Sequence, residues 1–212
     1  LLLNKKYIAV ILFTCALLFT SCEKKNAEGD LNKAVTDNAN LLNNPEYLIS
    51  EAKKALNADV KFATLGKFSS DSVQQVIAGI EVKNKKDYGI AFALLGVNDG
   101  KLSLLYLSPI LDGAFEKSIV HKINFTSFSN DLLYYNSKDY FLGSSMGEVF
   151  SYIIDMKTKN IYTAHLFYSP EINASLFMSP NINSAEIKDY FMKNFKEGFS
   201  DLKVVSKNRK LE

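Results

Sequence analysis

From Asn44 onward, hydrophobic residues recur with two different periods, and the change of period marks the elements. Leu48, Ile49, Ala52, Ala55 and Leu56 fall at helical spacing, leaving Glu51, Lys53 and Lys54 for water. Asn44 is placed to cap this segment, and Pro45 occupies the first helical position, where its missing N–H costs nothing. The pattern predicts an amphipathic helix packed by one face on a sheet. The sheet follows as four runs rich in β-branched and aromatic residues, at 60–68, 73–83, 88–97 and 101–108. In the second run Val76, Ala78, Ile80 and Val82 share a face. Asn98, Asp99 and Gly100 supply the residues that reach positive φ in a tight hairpin, and the polar turn 84–87 links the second and third runs in the same manner.

After Pro109 the pattern loosens, then resumes with strand candidates at 118–125, 131–135, 139–144, 148–156 and 160–168, the last two joined by the turn 157–160. The helical period returns after Ser184, a second N-cap candidate, through Ile187, Tyr190, Phe191, Phe195 and Phe199, with Gly198 near the end. Its spacing assigns this aromatic stripe to the core. The run 201–206 can add one more edge strand. Together these elements predict one α+β domain over 44–212: an antiparallel β-meander sheet with an N-terminal and a C-terminal amphipathic helix.

The segment before the domain has a different character. Residues 22–43 are Asn-rich, lack aromatics and show no sustained apolar period, which reads as a flexible tether. Before them, Lys5 and Lys6 form a basic n-region, Tyr7 to Phe19 an apolar h-region, and Thr20 and Ser21 a small-residue approach to Cys22. Thirteen helical residues at 1.5 Å each reach only about 20 Å of a roughly 30 Å hydrocarbon core, so the segment is an export signal rather than a span. Leu18, Phe19, Thr20, Ser21 and Cys22 resemble the lipobox of bacterial lipoproteins, departing at Phe19, where that family prefers Leu. The resemblance implies a signal peptide over 1–21, cleavage before Cys22, lipid addition to its thiol and acylation of the new amino terminus. Several acyl chains make a durable membrane anchor. In that family an aspartate directly after the cysteine tends to retain the protein in the inner membrane; the residue here is Glu23, which implies outer-membrane delivery, with the periplasmic and cell-surface faces both open.

Charge and cysteine content narrow the classes further. Once Lys5 and Lys6 are removed, acidic and basic residues balance at 23 each, and Arg209 is the only arginine. Without a basic excess or arginine forks, nucleic acid is excluded as a partner. Cys15 leaves with the signal, so Cys22 is the one cysteine of the mature chain. That excludes disulfides and thiolate metal sites from the domain. His121 and His165 lack a second histidine or a carboxylate at metal-ligand spacing, so each reads as structural, and no metal or cofactor is assigned.

One stretch carries a catalytic pattern. Gly143, Ser144, Ser145, Met146 and Gly147 match the G-x-S-x-G of a hydrolase nucleophile elbow, and Asp155 and His165 follow in hydrolase chain order. An elbow needs a helix directly after its second glycine. Here Val149, Phe150, Tyr152, Ile153 and Ile154 are strand formers near period two, so the stretch reads as a hairpin turn and no catalytic residue is assigned. An envelope hydrolase using Ser145, or an unpaired carboxylate such as Glu148 or Asp155, is the alternative. Continued to residue 166, the same stretch resembles one blade of a β-propeller, with G-S-x-x-G-x-V, an aromatic, then I-D-x-K-T and another strand. Segments 96–109 and 157–170 share a turn, a strand and a terminal Ser-Pro. That resemblance implies a small propeller-like all-β fold as the alternative to the meander.

The remaining signals concern binding. Asp71, Ser72 and Val73 resemble a short O-glycosylation sequon of some Gram-negative secreted proteins, which would place a glycan on Ser72. A sheet-rich domain with 11 Tyr and 15 Phe but no convergent acid–base set points to a non-catalytic binding or assembly module whose partner is another envelope protein or polymer. Tyr134, Tyr135, Tyr140 and Tyr168 are the candidates for an exposed partner-binding patch, since tyrosine combines apolar area with a hydroxyl at low entropic cost.

The anchor is directly testable. Metabolic labelling with a palmitate analogue is expected to mark the wild-type protein, and Cys22→Ala to abolish the label and leave the precursor unprocessed; equal labelling of both would refute lipidation at Cys22.

Overall fold

The structure, a computed structural model, describes residues 44–84, 87–98, 101–140, 146–169, 173–196 and 203–204. The signal peptide, Cys22 and the tether lie outside the described residues, as do Gly143 to Ser145.

Helix α1 (Pro45–Leu56) starts where the sequence places it: the Asn44 side chain accepts hydrogen bonds from the backbone N–H groups of Glu46 and Tyr47. It stops where Asn57 turns into the left-handed region (φ 47°). Leu48 and Ala52 are buried, whereas Ala55, placed on the apolar face by its spacing, is exposed. Strands β1 (Val60–Gly66), β2 (Gln75–Lys83), β3 (Tyr88–Asn98) and β4 (Lys101–Leu107) follow as an antiparallel meander in sequence order.

The expected single sheet is divided here. A crossing segment (108–117) that ends in a short 3-10 turn carries the chain into a second sheet. That sheet contains β5 (Ser118–Ile123), β6 (Leu132–Tyr140), β7 (Gly147–Asp155), β8 (Asn160–Ser169) and β9 (Asn173–Met178), antiparallel throughout, with β10 (Lys203–Val204) added parallel to β9 at its edge. Helix α2 (Ala185–Lys196) lies between β9 and β10 in the chain. The described residues thus form two mostly antiparallel sheets and two helices, with neither a closed barrel nor the four small sheets of a propeller.

The physical reason for two sheets is legible in β3, where every residue from Ile90 to Gly96 is buried. An apolar run without alternation requires cover on both faces. Toward one side, Val76, Ala78, Ala93 and Leu95 pack under α1 with Leu48 and Ala52. Toward the other, Ile77, Phe92 and Leu94 meet Leu133, Tyr135, Tyr152 and Ile154 of the second sheet. The far face of that sheet, with Tyr134, Ile153, Leu166 and Leu176, is covered by Ile187, Phe191 and Phe195 of α2. The order of layers is therefore helix, sheet, sheet, helix, each helix on its own outer face. Three apolar interfaces separate the four layers.

Strand β6 is longer than its sequence suggests. The polar stretch Asn136 to Lys138 divides the pattern into two candidates, yet the ladder to β7 runs unbroken from Leu133 to Tyr140. Asn136 and Ser137 are buried and hydrogen-bonded: Asn136 Nδ2 donates to the Tyr134 and Ser151 hydroxyls, and Ser137 Oγ accepts from the Ala114 N–H. The turn 156–159 closes β7 on β8 through Asp155, whose buried carboxylate accepts from Asn130 Nδ2, Lys157 N and Thr158 Oγ1.

Helix α2 is fixed at its first turn and at its middle. The Glu186 carboxylate accepts from the backbone N–H and hydroxyl groups of Thr126 and Ser127, led by the Ser127 hydroxyl, and these bonds hold its pKa down to about 2. One turn on, Tyr190 meets His121 Nε2 through its hydroxyl at 2.8 Å, and burial lowers the His121 pKa from its usual 6.5. A histidine held neutral in the fold gains protons on unfolding. Its contribution is complete above about pH 6.5 and is lost as pH falls through the folded-state value. Glu186, whose folded pKa is depressed instead, loses its contribution in a lower window, from about pH 4.5 toward 2. Denaturation midpoints measured from pH 7.5 to 5 are expected to fall for the wild type and to fall less for His121→Gln; parallel slopes would show that His121 is not responsible.

Candidate ligand-binding cleft

The second sheet is two strands wider than the first. On the part of its inner face left uncovered, Phe150 and Tyr152 of β7, Thr163 and His165 of β8 and Phe177 of β9 form the floor of a cleft of about 350 Å³. Period two puts Phe150 and Tyr152 on one face, and the register that opposes Phe150 to His165 carries that face onto β8. The crossing segment at Ile110, Leu111 and Asp112 makes the opposite wall.

That wall is held by backbone. Leu111 exchanges N–H to O=C hydrogen bonds with Ile90 at 2.9 and 2.8 Å, joining the segment to β3. Next to it, Gly113 adopts φ +120°, a conformation open to glycine, and a Cβ there would overlap the Ser137 hydroxyl and the Tyr135 phenol. The segment is thereby pressed against the sheet, and the Tyr135 hydroxyl donates to the Asp112 carbonyl at 2.9 Å. The Tyr152 hydroxyl donates to Asp112 Oδ2 at 3.0 Å and accepts from the Asp112 N–H. Burial raises both phenols far above their usual pKa, and for Tyr152 the neighbouring Asp112 carboxylate adds to the effect, so both remain protonated donors.

At the other side of the floor, His165 stacks on Phe150, with ring centroids 4.3 Å apart and planes within 5° of parallel. Its Nε2 lies 2.9 Å from Glu148 Oε2. Glu148 pairs with Phe167 across the β7–β8 ladder, so it is the diagonal neighbour of His165 on the same face. A carboxylate partner requires the hydrogen on Nε2.

Asp155 and His165 of the hydrolase pattern do not come together. Ser145 lies outside the described residues, but Gly147 opens a strand, so the helix an elbow needs is missing. Asp155 sits opposite Asn160, five ladder positions from the Phe150–His165 pair, roughly 17 Å at about 3.4 Å per residue. It belongs to the turn, and His165 belongs to Glu148.

Of the four tyrosines expected in an exposed patch, Tyr134 and Tyr135 are only 2% and 0% exposed. They are consecutive on β6, so one points into the α2 interface and the other between the sheets. Neither offers surface to a partner. Tyr168 is half-buried, with its ring across Gly147 where a Cβ would stand. Tyr140 pairs with Gly147 through backbone, and its side chain lies outside the described residues. Ser72 is exposed in the β1–β2 loop, its N–H donating to Ser70 Oγ. Among the described residues no group of three His, Cys, Asp or Glu side chains is disposed to hold a metal ion, and no helix is long and apolar enough to cross a membrane.

Two features are additional to the sequence reading. The Glu148–His165 pair was accessible through the turn 157–160, because that register determines the diagonal neighbour of His165. The second is the edge strand β4, where Leu104, Leu105 and Leu107 are 51%, 55% and 47% exposed.

Comparison of the chain with protein-family models, curated proteins and solved structures finds no match. The functional reading therefore rests on these residues alone.

The wall's dependence on glycine gives a test. Gly113→Val is expected to destabilise the domain by at least about 1–3 kcal/mol in chemical denaturation, the usual cost of a disfavoured backbone region, because the overlap with Ser137 and Tyr135 adds to it. An unchanged midpoint would show that the crossing segment does not need this conformation.

Proposed function

We propose that this is a lipid-anchored protein of the bacterial outer membrane whose domain is a non-catalytic binding or assembly module. Cys22 provides the anchor, the segment 22–43 the tether, and the cleft between the crossing segment and the second sheet the binding element. One observation carries the reading: the polar side chains of the cleft are satisfied by one another, His165 by Glu148 and Tyr152 by Asp112, on an aromatic floor. A preformed concave site of this size, mostly apolar with a few fixed polar groups, suits recognition. The exposed leucines of β4 support the assembly half of the proposal, since an edge strand with apolar side chains offers both backbone hydrogen bonds and apolar area to another envelope protein or polymer.

The test is a fragment screen on the isolated domain by two-dimensional NMR. Small aromatic fragments are expected to shift resonances of Phe150, His165 and Phe177, and a cleft-filling Thr163→Trp variant to lose those shifts while keeping its fold. Shifts scattered over the surface, or none, would refute the cleft as the binding element. Separately, Ser145→Ala is expected to leave the biological role intact and a fluorophosphonate to leave the wild type unlabelled at Ser145. Labelling there, together with a folded but inactive alanine variant, would establish the hydrolase instead.

A further inference from the structure

We propose that the cleft selects a small organic cation: a protonated amine on an apolar, preferably aromatic, body. The inference rests on the binding role proposed above and adds the chemistry of the ligand.

The donor and acceptor inventory of the cleft carries it. The Tyr152 hydroxyl spends its hydrogen on Asp112 Oδ2. The Ser179 hydroxyl, at the β9 end, donates to Asn181 Oδ1 and accepts from the Thr163 N–H. His165 Nε2 is committed to Glu148. Thr163 brings a hydroxyl that can serve either way. Apart from the Thr163 hydroxyl, these donors are consumed inside the protein, and the Asp112 carboxylate stands in the wall over an aromatic floor. Among the described residues neither lysine nor arginine lines the cleft.

A ligand entering such a site meets acceptors and negative charge. A carboxylate or phosphate would find no lysine or arginine among the described lining residues to replace its water and would face Asp112. A neutral apolar molecule would gain burial alone. An ammonium group gains a hydrogen bond to the Asp112 carboxylate and attraction to the aromatic floor of Phe150, Tyr152 and Phe177, which is how aromatic sites hold alkylated amines. The cavity fixes the size. At about 30 Å³ for each water-sized group, 350 Å³ admits roughly ten non-hydrogen atoms. An amine of that size fills the cleft without a polymer backbone. Asp112 is preorganised for it, since Tyr135, Tyr152 and the Leu111–Ile90 bridge hold its backbone and one carboxylate oxygen.

Three probes of similar size separate the possibilities: phenethylammonium, phenethyl alcohol and phenylacetate, titrated against the isolated domain by calorimetry or NMR. Phenethylammonium is expected to bind about tenfold or more tighter than the alcohol, and phenylacetate more weakly than either. Asp112→Asn, which keeps an oxygen for the Tyr152 hydroxyl, is expected to remove most of the amine's advantage and leave alcohol binding unchanged. If Asp112→Asn fails to fold, the wild-type preference for the amine over the alcohol is measured at about 0.05 and 0.5 M salt, where a charge-based preference is expected to shrink and an unchanged one would overturn the assignment. Alcohol binding in the cleft with no preference for the amine, or equal binding of phenylacetate, would overturn cation selectivity while leaving the binding role standing. Failure of all three to bind would remove both. Tighter binding of N-acetyl-lysine methylamide than of phenethylammonium would overturn the free-amine assignment in favour of a lysine side chain.

Discussion

The two tyrosine hydroxyls that converge on Asp112 join the centre of this molecule to its surface. Tyr135 and Tyr152 lie side by side on the inner face of the second sheet, rings stacked at 5.6 Å, and Phe92 of the first sheet meets Tyr135 edge-on at 5.4 Å. This aromatic group is the middle of the core between the sheets. A buried phenol needs a hydrogen-bond partner, and unpaired it costs about 1–3 kcal/mol. Both phenols find theirs on Asp112 of the crossing segment, which lines the cleft. Satisfying the core thus places the wall of the site. The geometry of the cleft is in this sense a by-product of the requirement that two buried hydroxyls be paired.

The same economy appears on the outer face of the second sheet, with a different result. Tyr134, Asn136 and Ser151 form a buried polar cluster in which Asn136 Nδ2 donates to both hydroxyls, yet Asn136 Oδ1 finds no partner among the described residues. A half-satisfied buried amide is costly, and here it lies beneath a helix held by Glu186 at its first turn and His121 at its middle. The contrast is between a tightly paired interface, where the sheets meet, and one whose contribution depends on the protonation of two side chains at its margin. Acid acts on this margin through His121 and Glu186, whereas the phenols between the sheets stay neutral over the same range.

How much of this was legible in the sequence depends on whether the signal is local. The helices were, because Asn44, Pro45 and Ser184 are capping residues at the positions where caps are needed, and Ile187, Phe191 and Phe195 keep their spacing to the core. Turns 84–87 and 157–160 were, because their residues choose the turn. The division into two sheets was readable in principle: the unbroken apolar run of β3 has no face left for water, which a sheet with helices on one side cannot accommodate. Strand β6 was read as two because Asn136 and Ser137 count as polar in any pattern, and their burial depends on partners 15 and 23 residues distant. Tyr134 and Tyr135 failed as surface candidates for the complementary reason, since an aromatic pair on a central strand of a covered sheet is buried on both sides.

Asp112 gave no local signal. Its place is settled by Gly113, which lets the chain lie flat on the sheet, and by residues far along the chain in Ile90, Tyr135 and Tyr152. The Glu148 and His165 pair is intermediate, since register determines it but composition does not advertise it. That ordering has a consequence for reading function in folds like this one. Side chains that make the site concave and acceptor-rich are brought together by ladder register and by a crossing segment, neither of which leaves a contiguous motif. The one contiguous catalytic pattern, G-x-S-x-G, instead ends at a glycine whose role is to make room for the ring of Tyr168. A glycine can be required by a close approach in extended backbone as firmly as by a turn or an elbow, and the pattern alone does not say which.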